Sequence, residues 1–364
     1  MDIFDIALTM TSGLGVRGAV HLLEHFGTAV RIFSASQEEL VAGAHLREDV
    51  ARRIVRREAL RQAEREADYC RRYDIRAVAS TDPDYPQPMR LTPDYPHVIY
   101  VRGSVGALSC RTLSMVGTRE ITPTGQRMCQ MLVEGLCSRL GDLSVVSGLA
   151  YGVDAACHRA ALAYGAKTVA VVANALPDVT PAPHRRLAED IVSSGGAIVS
   201  ELHSQTRQNG SYFLARNRIV AALSAGLVVV ESPASGGSLS TAAIADSYGR
   251  TVMALPGRAT DTASRGTNNL IRNNKARLVM TADDIIEELG WQTDSSRSSR
   301  GAEAAALTAA EAMLLSCFAD DDTLDLQRLS DASSLSVGEL SQLLMQLELK
   351  GVVRCLPGRR YEKL

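Results

Sequence analysis

Between residues 111 and 280 the chain repeats one pattern: a short apolar run, a turn, then a longer stretch with helical periodicity. The runs fall at 112–116, 143–146, 168–172, 197–199, 227–230, 252–255 and 278–280. They are too short for helices, and they lack the polar alternation of a strand with one wet face. Fully apolar strands separated by helices imply a parallel sheet covered on both faces, a Rossmann-like doubly wound α/β domain over 111–290.

The flanks read differently. Residues 1–76 place Ile6, Leu8, Val20, Leu22, Leu23 and Phe26 at helical spacing, which predicts a small helical domain, SAM-like or helix-hairpin-helix-like. Its first two helices enclose Ser12-Gly13-Leu14-Gly15-Val16-Arg17. A Gly-x-Gly turn that opens a helix can present amide groups to a phosphate; a plain turn in a helical domain reads equally well. Arg52, Arg53, Arg56, Arg57, Arg61 and Arg65, interleaved with Glu58, Glu64 and Glu66, describe a solvated helix face. Residues 77–110 are a Pro- and Tyr-rich connector leading into the sheet, and 291–306 read as a flexible linker. The tail, 307–364, predicts helices at 309–318, 324–329 and 337–349, the last with Leu340, Leu343, Leu344 and Leu347 inward. A hairpin of 352–356, Pro357-Gly358 and 359–361 follows, completing a C-terminal winged-helix pattern.

Charge and cysteine usage narrow the function. The net charge is −2, and residues 81–290 carry 19 basic against 18 acidic side chains, with Lys167 and Lys275 the only lysines among them. A polyanion site must therefore be a local cluster of arginines. The seven cysteines include no CxxC pair, which argues against zinc and a secreted disulfide framework and fits the reduced cytoplasm. No apolar run is long enough to span a bilayer, and the first residues lack the features of a secretory signal. No metal, cofactor or membrane partner is expected.

In an open parallel sheet, ligands bind beyond the carboxyl ends of the strands. The first predicted strand ends in Gly117-Thr118-Arg119, before Thr122 as N-cap and Pro123 as first helical residue. The second ends in Ser147-Gly148-Leu149-Ala150-Tyr151-Gly152-Val153-Asp154, and the fifth leads to Ser235-Gly236-Gly237-Ser238-Leu239-Ser240-Thr241. Small, hydroxylated, Gly-containing turns along one sheet edge let phosphates approach bare amides, so an anionic ligand is expected. Phe213-Leu214-Ala215-Arg216-Asn217-Arg218 adds two cations at a helix start and an aromatic face, a combination suited to single-stranded nucleic acid. The same residues also permit a core Phe213, with the arginines paired to Glu201 and Glu231.

Val116-Gly117-Thr118-Arg119, the 147–154 block, Phe213-x-x-Arg216-Asn217-Arg218 and Ser235-Gly236-x-Ser238-x-x-Thr241-Ala242 resemble the signature blocks of the DNA-processing protein A (DprA/Smf) family. Pro256-Gly257 and Gly266-Thr267-Asn268-x-Leu270-Ile271 follow in the right order, and both flanking domains match the longer members. The resemblance implies a single-stranded DNA-binding protein that protects incoming strands in natural transformation, loads RecA onto them, and dimerises through its Rossmann domain. It implies that Arg119, Arg216 and Arg218 hold phosphates and that Phe213 stacks on a base. Gly117, Thr118, Ser147, Gly148, Asn217, Ser235, Gly236, Ser238 and Thr241 would line the pocket. Three places depart from the family pattern: Val172-Ala173-Asn174-Ala175 replaces a Gly-rich turn, Thr180-Pro181-Ala182-Pro183-His184 replaces Tyr-Pro-x-x-Asn, and Leu214 replaces Pro. One pocket wall would then be lined differently, with His184 in place of an amide, and Arg207 is the nearest candidate for a basic residue expected before Phe213.

Two other classes fit less well. Related nucleoside monophosphate phosphoribohydrolases carry a glutamate where this chain has Ala243, so a general acid/base is missing and no enzyme is expected. A winged-helix transcription factor needs basic or amide side chains on its recognition helix. Here residues 337–349 turn Glu339, Gln342, Gln346 and Glu348 outward, and Asp320-Asp321-Asp322 adds an acidic run, so the tail is expected to bind DNA poorly by itself.

Overall fold

The computed structural model describes residues 1–207, 209–293, 308–318, 323–333, 335–349, 352–356 and 360–363. They form two compact units, 1–291 and 292–364. From residue 294 onward the expected linker lies outside the described residues, as do the 320–322 acidic run and the Pro357-Gly358 turn.

The first unit opens with α1 (Ile3–Met10), α2 (Gly15–Phe26), α3 (Ala29–Ser34), α4 (Glu48–Val55) and α5 (Leu60–Arg72). Asp2 and Asp5 form a capping box at the start of α1. Gly13 and Gly15 turn the chain between α1 and α2 at φ +83° and +68°, a left-handed conformation that a side chain would strain. Ile6, Leu8, Leu22 and Ile32 are fully buried at the centre of this bundle, and Phe26 packs on it half-buried. The bundle joins the sheet through a buried polar contact, in which the Asp5 carboxylate lies 3.0 Å from His97 Nε2.

The stretch read as a connector folds instead into β1 (Arg76–Ala79), α6 (Gln87–Arg90) and β2 (Val98–Gly103). β1 pairs antiparallel with β2, and β2 antiparallel with the sixth strand, so these residues close one edge of the sheet. The alternating part then runs β3 (Arg111–Val116), α7 (Pro123–Cys137), β4 (Leu143–Ser147), α8 (Val153–Ala163), β5 (Lys167–Val171), α9 (Arg185–Ser193) and β6 (Ala197–Ser200). It continues through α10 (Ser211–Leu223), β7 (Gly226–Val229), α11 (Gly237–Ser247), β8 (Thr251–Ala254), α12 (Arg265–Arg272), β9 (Arg277–Leu278) and α13 (Ala282–Glu288). The nine strands lie in the order β1-β2-β6-β5-β4-β3-β7-β8-β9, all parallel from β6 to β9.

Leu113, Met115 and Val145 pack with α7, α8 and α13 on one face, whereas Val116, Val146 and Val229 pack with α10 and α11 on the other. The strands from β3 to β8 are thus buried on both sides, which explains their near-continuous apolar runs. Two β3 hydroxyls interrupt that rule for a reason. Thr112 Oγ1 donates to the Leu223 carbonyl at 2.7 Å and Ser114 Oγ to the Val220 carbonyl at 2.6 Å, tying the last turns of α10 to the sheet.

The second unit contains α14 (Ala309–Ser316), β10 (Thr323–Asp325), α15 (Leu326–Ser333), α16 (Val337–Leu349), β11 (Val353–Leu356) and β12 (Arg360–Lys363). Its strands pair antiparallel in the order β10-β12-β11, a winged-helix arrangement. Leu340, Leu344 and Leu347 are fully buried, with Leu343 partly so. Residues 324 and 325, read as the start of the second helix, belong instead to the third strand, β10, and α15 begins at Leu326. No helix among the described residues is long and apolar enough to cross a membrane.

Candidate nucleic-acid interface

The strand order reverses between β3 and β7: after β3 the chain fills one side of the sheet, then crosses by α10 to the other. A crevice opens beyond the carboxyl ends of two strands at such a point. Here it is a cleft of about 400 Å³. The turn after β3 lines it with Gly117, Thr118, Arg119 and Glu120, the turn after β4 with Gly148 and Ala150, and α10 with Arg216 and Asn217. The turn opening α11 completes it with Ser235, Gly236, Gly237, Ser238 and Thr241.

Close backbone packing holds these turns in place. The Thr118 amide donates to the Glu231 carbonyl at 2.7 Å, and a Cβ on Gly117 would lie 2.4 Å from Val153 Cγ2. Thr122 caps α7 by accepting from the Gly125 amide at 3.1 Å, with Pro123 in the first turn, as its sequence implies. The buried Glu231 carboxylate accepts from both the amide and the hydroxyl of Thr122 at 2.8 Å, bracing the β7 end against the β3 turn. In the α11 turn, Ser235 and Gly236 are exposed. Ser238 is buried and donates to Ser232 Oγ at 2.9 Å, while Thr241 donates to the Gly237 carbonyl at 3.1 Å.

Arg119 is exposed at the mouth, with its guanidinium carbon 5.9 Å from the centroid of the half-buried Phe213 ring. A cation over an aromatic face leaves the charge available to a phosphate while it orients the ring. The two arginines of α10 behave differently. Arg216 is 6% exposed; its Nη1 donates to the Gly148 carbonyl at 2.5 Å and to the Val171 carbonyl, so its hydrogen bonds stitch the ends of β4 and β5. The resemblance gave it a phosphate, but its guanidinium is turned into the protein. Arg218 forms an ion pair with Glu201 and donates to the Asp94 carbonyl at 2.7 Å, in a different cavity from the cleft.

Other expected residues also sit apart. Ser147 is fully buried, and its hydroxyl donates to the Met115 carbonyl at 2.6 Å, so it supports the β4 end without lining the cleft. His184 does not line the cleft either; it is buried, with Nδ1 2.8 Å from the Leu149 carbonyl and its ring packed against Tyr151. Arg207 lines the same separate cavity as Arg218.

One cleft residue that sequence reasoning left without a role is Asp154. It is buried beside the cleft and accepts from the Ala150 amide at 3.2 Å. Burial raises its pKa, and the Arg216 charge works in the opposite direction. Burial likewise lowers the pKa of Arg216, which the Asp154 charge opposes. Its signal in the sequence was its place at the end of the 147–154 block. Among the described residues, no three His, Cys, Asp or Glu side chains converge as a metal site requires.

Similar proteins share this architecture. The family model for DNA recombination-mediator protein A matches residues 76–290, and that for the DprA winged helix domain matches 298–359. Protein Smf of Escherichia coli is 34% identical over 278 residues, which cover 75% of this chain and 74% of that protein. The crystal structure of DNA processing protein A from Streptococcus pneumoniae superposes with a TM-score of 0.68 at 27% identity, covering 79% of this chain and 98% of that one. DNA processing protein A from Helicobacter pylori, whose structure was described for its single-stranded DNA binding mode, gives 0.53 at 27% identity over 60% of this chain and 96% of that one. The chain belongs to the DNA recombination-mediator protein A family.

Proposed function

We propose that this protein binds single-stranded DNA in the β3/β7 crevice and acts in the cytoplasm as a recombination mediator. In that role it holds incoming strands during natural transformation and delivers them to RecA. The carrying observation is the Arg119–Phe213 pair beside a cleft lined by Gly- and hydroxyl-bearing turns, which offers a phosphate contact and a base-stacking face together. The relative studied for single-stranded DNA binding supports the ligand class. Arg119 supplies the direct phosphate contact. The buried Arg216, bonded to the Gly148 carbonyl, keeps the β4 turn in place for the strand.

The protein works by binding and not by catalysis: Ala243 stands on α11 where a related hydrolase needs a glutamate. It acts as a homodimer through the sheet unit, where exposed Leu278 and Met280 flank the open β9 edge. The winged-helix unit serves as an auxiliary protein contact, since the outward residues of α16 include Glu339, Gln342, Gln346 and Glu348.

The test is fluorescence anisotropy of labelled dT20 with the purified protein, competed by duplex DNA over a range of salt concentrations. Tight, single-strand-preferring binding that weakens steeply with salt is expected. Binding that Arg119→Ala and Phe213→Ala both leave unchanged in folded protein refutes the assignment of this cleft.

A further inference from the structure

On the other side of α10 lies a second and larger cavity, of about 830 Å³, which the cleft does not use. Its walls come from α1 and α2, from the residues entering β2, and from the β6–α10 loop. At about 100° per residue, neighbouring positions on α10 face different ways. Arg216 and Asn217 line the cleft, whereas Tyr212, Ala215 and Arg218 line this cavity. A single helix therefore separates the two.

The lining has both charge and flat surface. Gly15 and Val16, at the first turn of α2, border the cavity, and α2 begins without a side-chain cap. Its amides and the positive end of its dipole suit an anion. Arg207, exposed on the β6–α10 loop, adds a full positive charge. Tyr212 and His203 contribute rings, and His203 Nδ1 is buried without a hydrogen-bond partner. Burial lowers the His203 pKa, so at neutral pH the ring carries one donor and one acceptor. Glu201 and Arg218, paired with each other, form a polar part of the wall.

We propose that this cavity is a second nucleotide pocket, with the base against Tyr212 and His203 and the phosphate at the α2 start and Arg207. The nucleotide is either free or part of a strand bound in the cleft, and only the second source rests on the proposed function.

The experiment uses the full chain and three variants: Arg207→Ala, Tyr212→Ala and Arg119→Ala. Titration calorimetry with dTMP reads the free nucleotide, and anisotropy with labelled dT20 reads the strand. If the free nucleotide is the occupant, dTMP binds, Arg207→Ala and Tyr212→Ala each weaken it about fivefold or more, and Arg119→Ala leaves it unchanged. If the strand is the source, dTMP gives no heat, yet the same two variants weaken dT20 about fivefold or more. Wild-type affinity of both variants for both ligands overturns the proposal, as does a dTMP site that only Arg119→Ala removes. Arg207 is exposed, so its replacement does not threaten folding. Failure of the cleft reading shows separately, as wild-type dT20 binding in Arg119→Ala.

Discussion

Replacing Arg216 by leucine should damage the fold more than the electrostatics of DNA binding. The guanidinium is buried and bonds to the carbonyls of Gly148 and Val171, with the Asp154 carboxylate buried nearby. Leucine leaves two buried acceptors without a donor, at about 1–3 kcal/mol each. It also removes the cation that offsets a buried carboxylate, and losing one member of a buried charge pair costs about 3–5 kcal/mol. These figures count overlapping effects, so we expect Arg216→Leu to lower unfolding stability by about 3–5 kcal/mol. Urea unfolding should show a lower midpoint at an unchanged slope. Adding Asp154→Asn should restore part of the loss, because the uncompensated charge goes with it. In anisotropy the affinity for dT20 falls as the Gly148 turn relaxes, but the salt dependence keeps its slope. A residue that neutralises one phosphate contributes about 0.7 to that slope on a single strand. Wild-type stability together with a slope reduced by about 0.7 would mean that Arg216 grips phosphate directly and that this account of its burial is wrong.

Arg119→Ala should lower dT20 affinity and reduce the salt slope by about 0.7, whereas Phe213→Ala should cost about 1–3 kcal/mol of binding with the slope unchanged; equal slopes in both variants refute the division of labour. Gly148→Ala should mimic the loss of Arg216, because the new Cβ would sit 2.2 Å from Arg216 Nη1, and wild-type urea stability would contradict that. Burial pushes the His158 imidazole down to about 3, against an ordinary 6.5. Below about pH 6.5 the unfolded chain then binds one more proton than the folded one, so stability is whole above that pH. It falls by about 1.4 kcal/mol per unit on acidification until about pH 3. His158→Gln should flatten this limb in urea melts between pH 4 and 7, and an unaltered limb would exclude His158 as its source. The isolated 292–364 unit should show no micromolar affinity for duplex DNA at physiological salt, and anisotropy with a labelled duplex checks this.

The sheet was legible because strands buried on both faces have nowhere to put a polar side chain, so 143–146 or 227–230 can hardly be anything else. The β1–β2 side of the sheet was not. Arg76–Ala79 is four residues long, and the prolines and tyrosines that follow it outweighed its signal. Their β2 partner gains its meaning from β6, about a hundred residues later in the chain. The turns around the cleft could be read, since their Gly and hydroxyl content follows from close backbone approach. The direction of each guanidinium could not. Arg216 and Arg218 stand two apart on one helix and so point to different sides, one toward the main chain and one toward Glu201. A motif records the presence of a cation but not whether its partner is a ligand or the protein's own carbonyls. Ser147 shows the same limit, because its hydroxyl would suit a phosphate but is spent on Met115.

The pairing of β2 with β6 also sets a clock on synthesis. Tyr100 lies opposite Ser200 and Gly103 opposite Ala197. A ribosome adds about 5–20 residues per second, so β2 waits roughly 5–20 s for its neighbour to be made. During that interval the β2 edge that will meet β6 is unpaired, and Val98, Ile99, Tyr100 and Val101, all buried in the finished molecule, lack the later residues that complete their core. A two-stranded hairpin is marginal in water by itself. The nascent chain therefore carries a sticky strand through much of its translation, and slowing elongation between codons 104 and 196 should raise both its aggregation and its demand for chaperones.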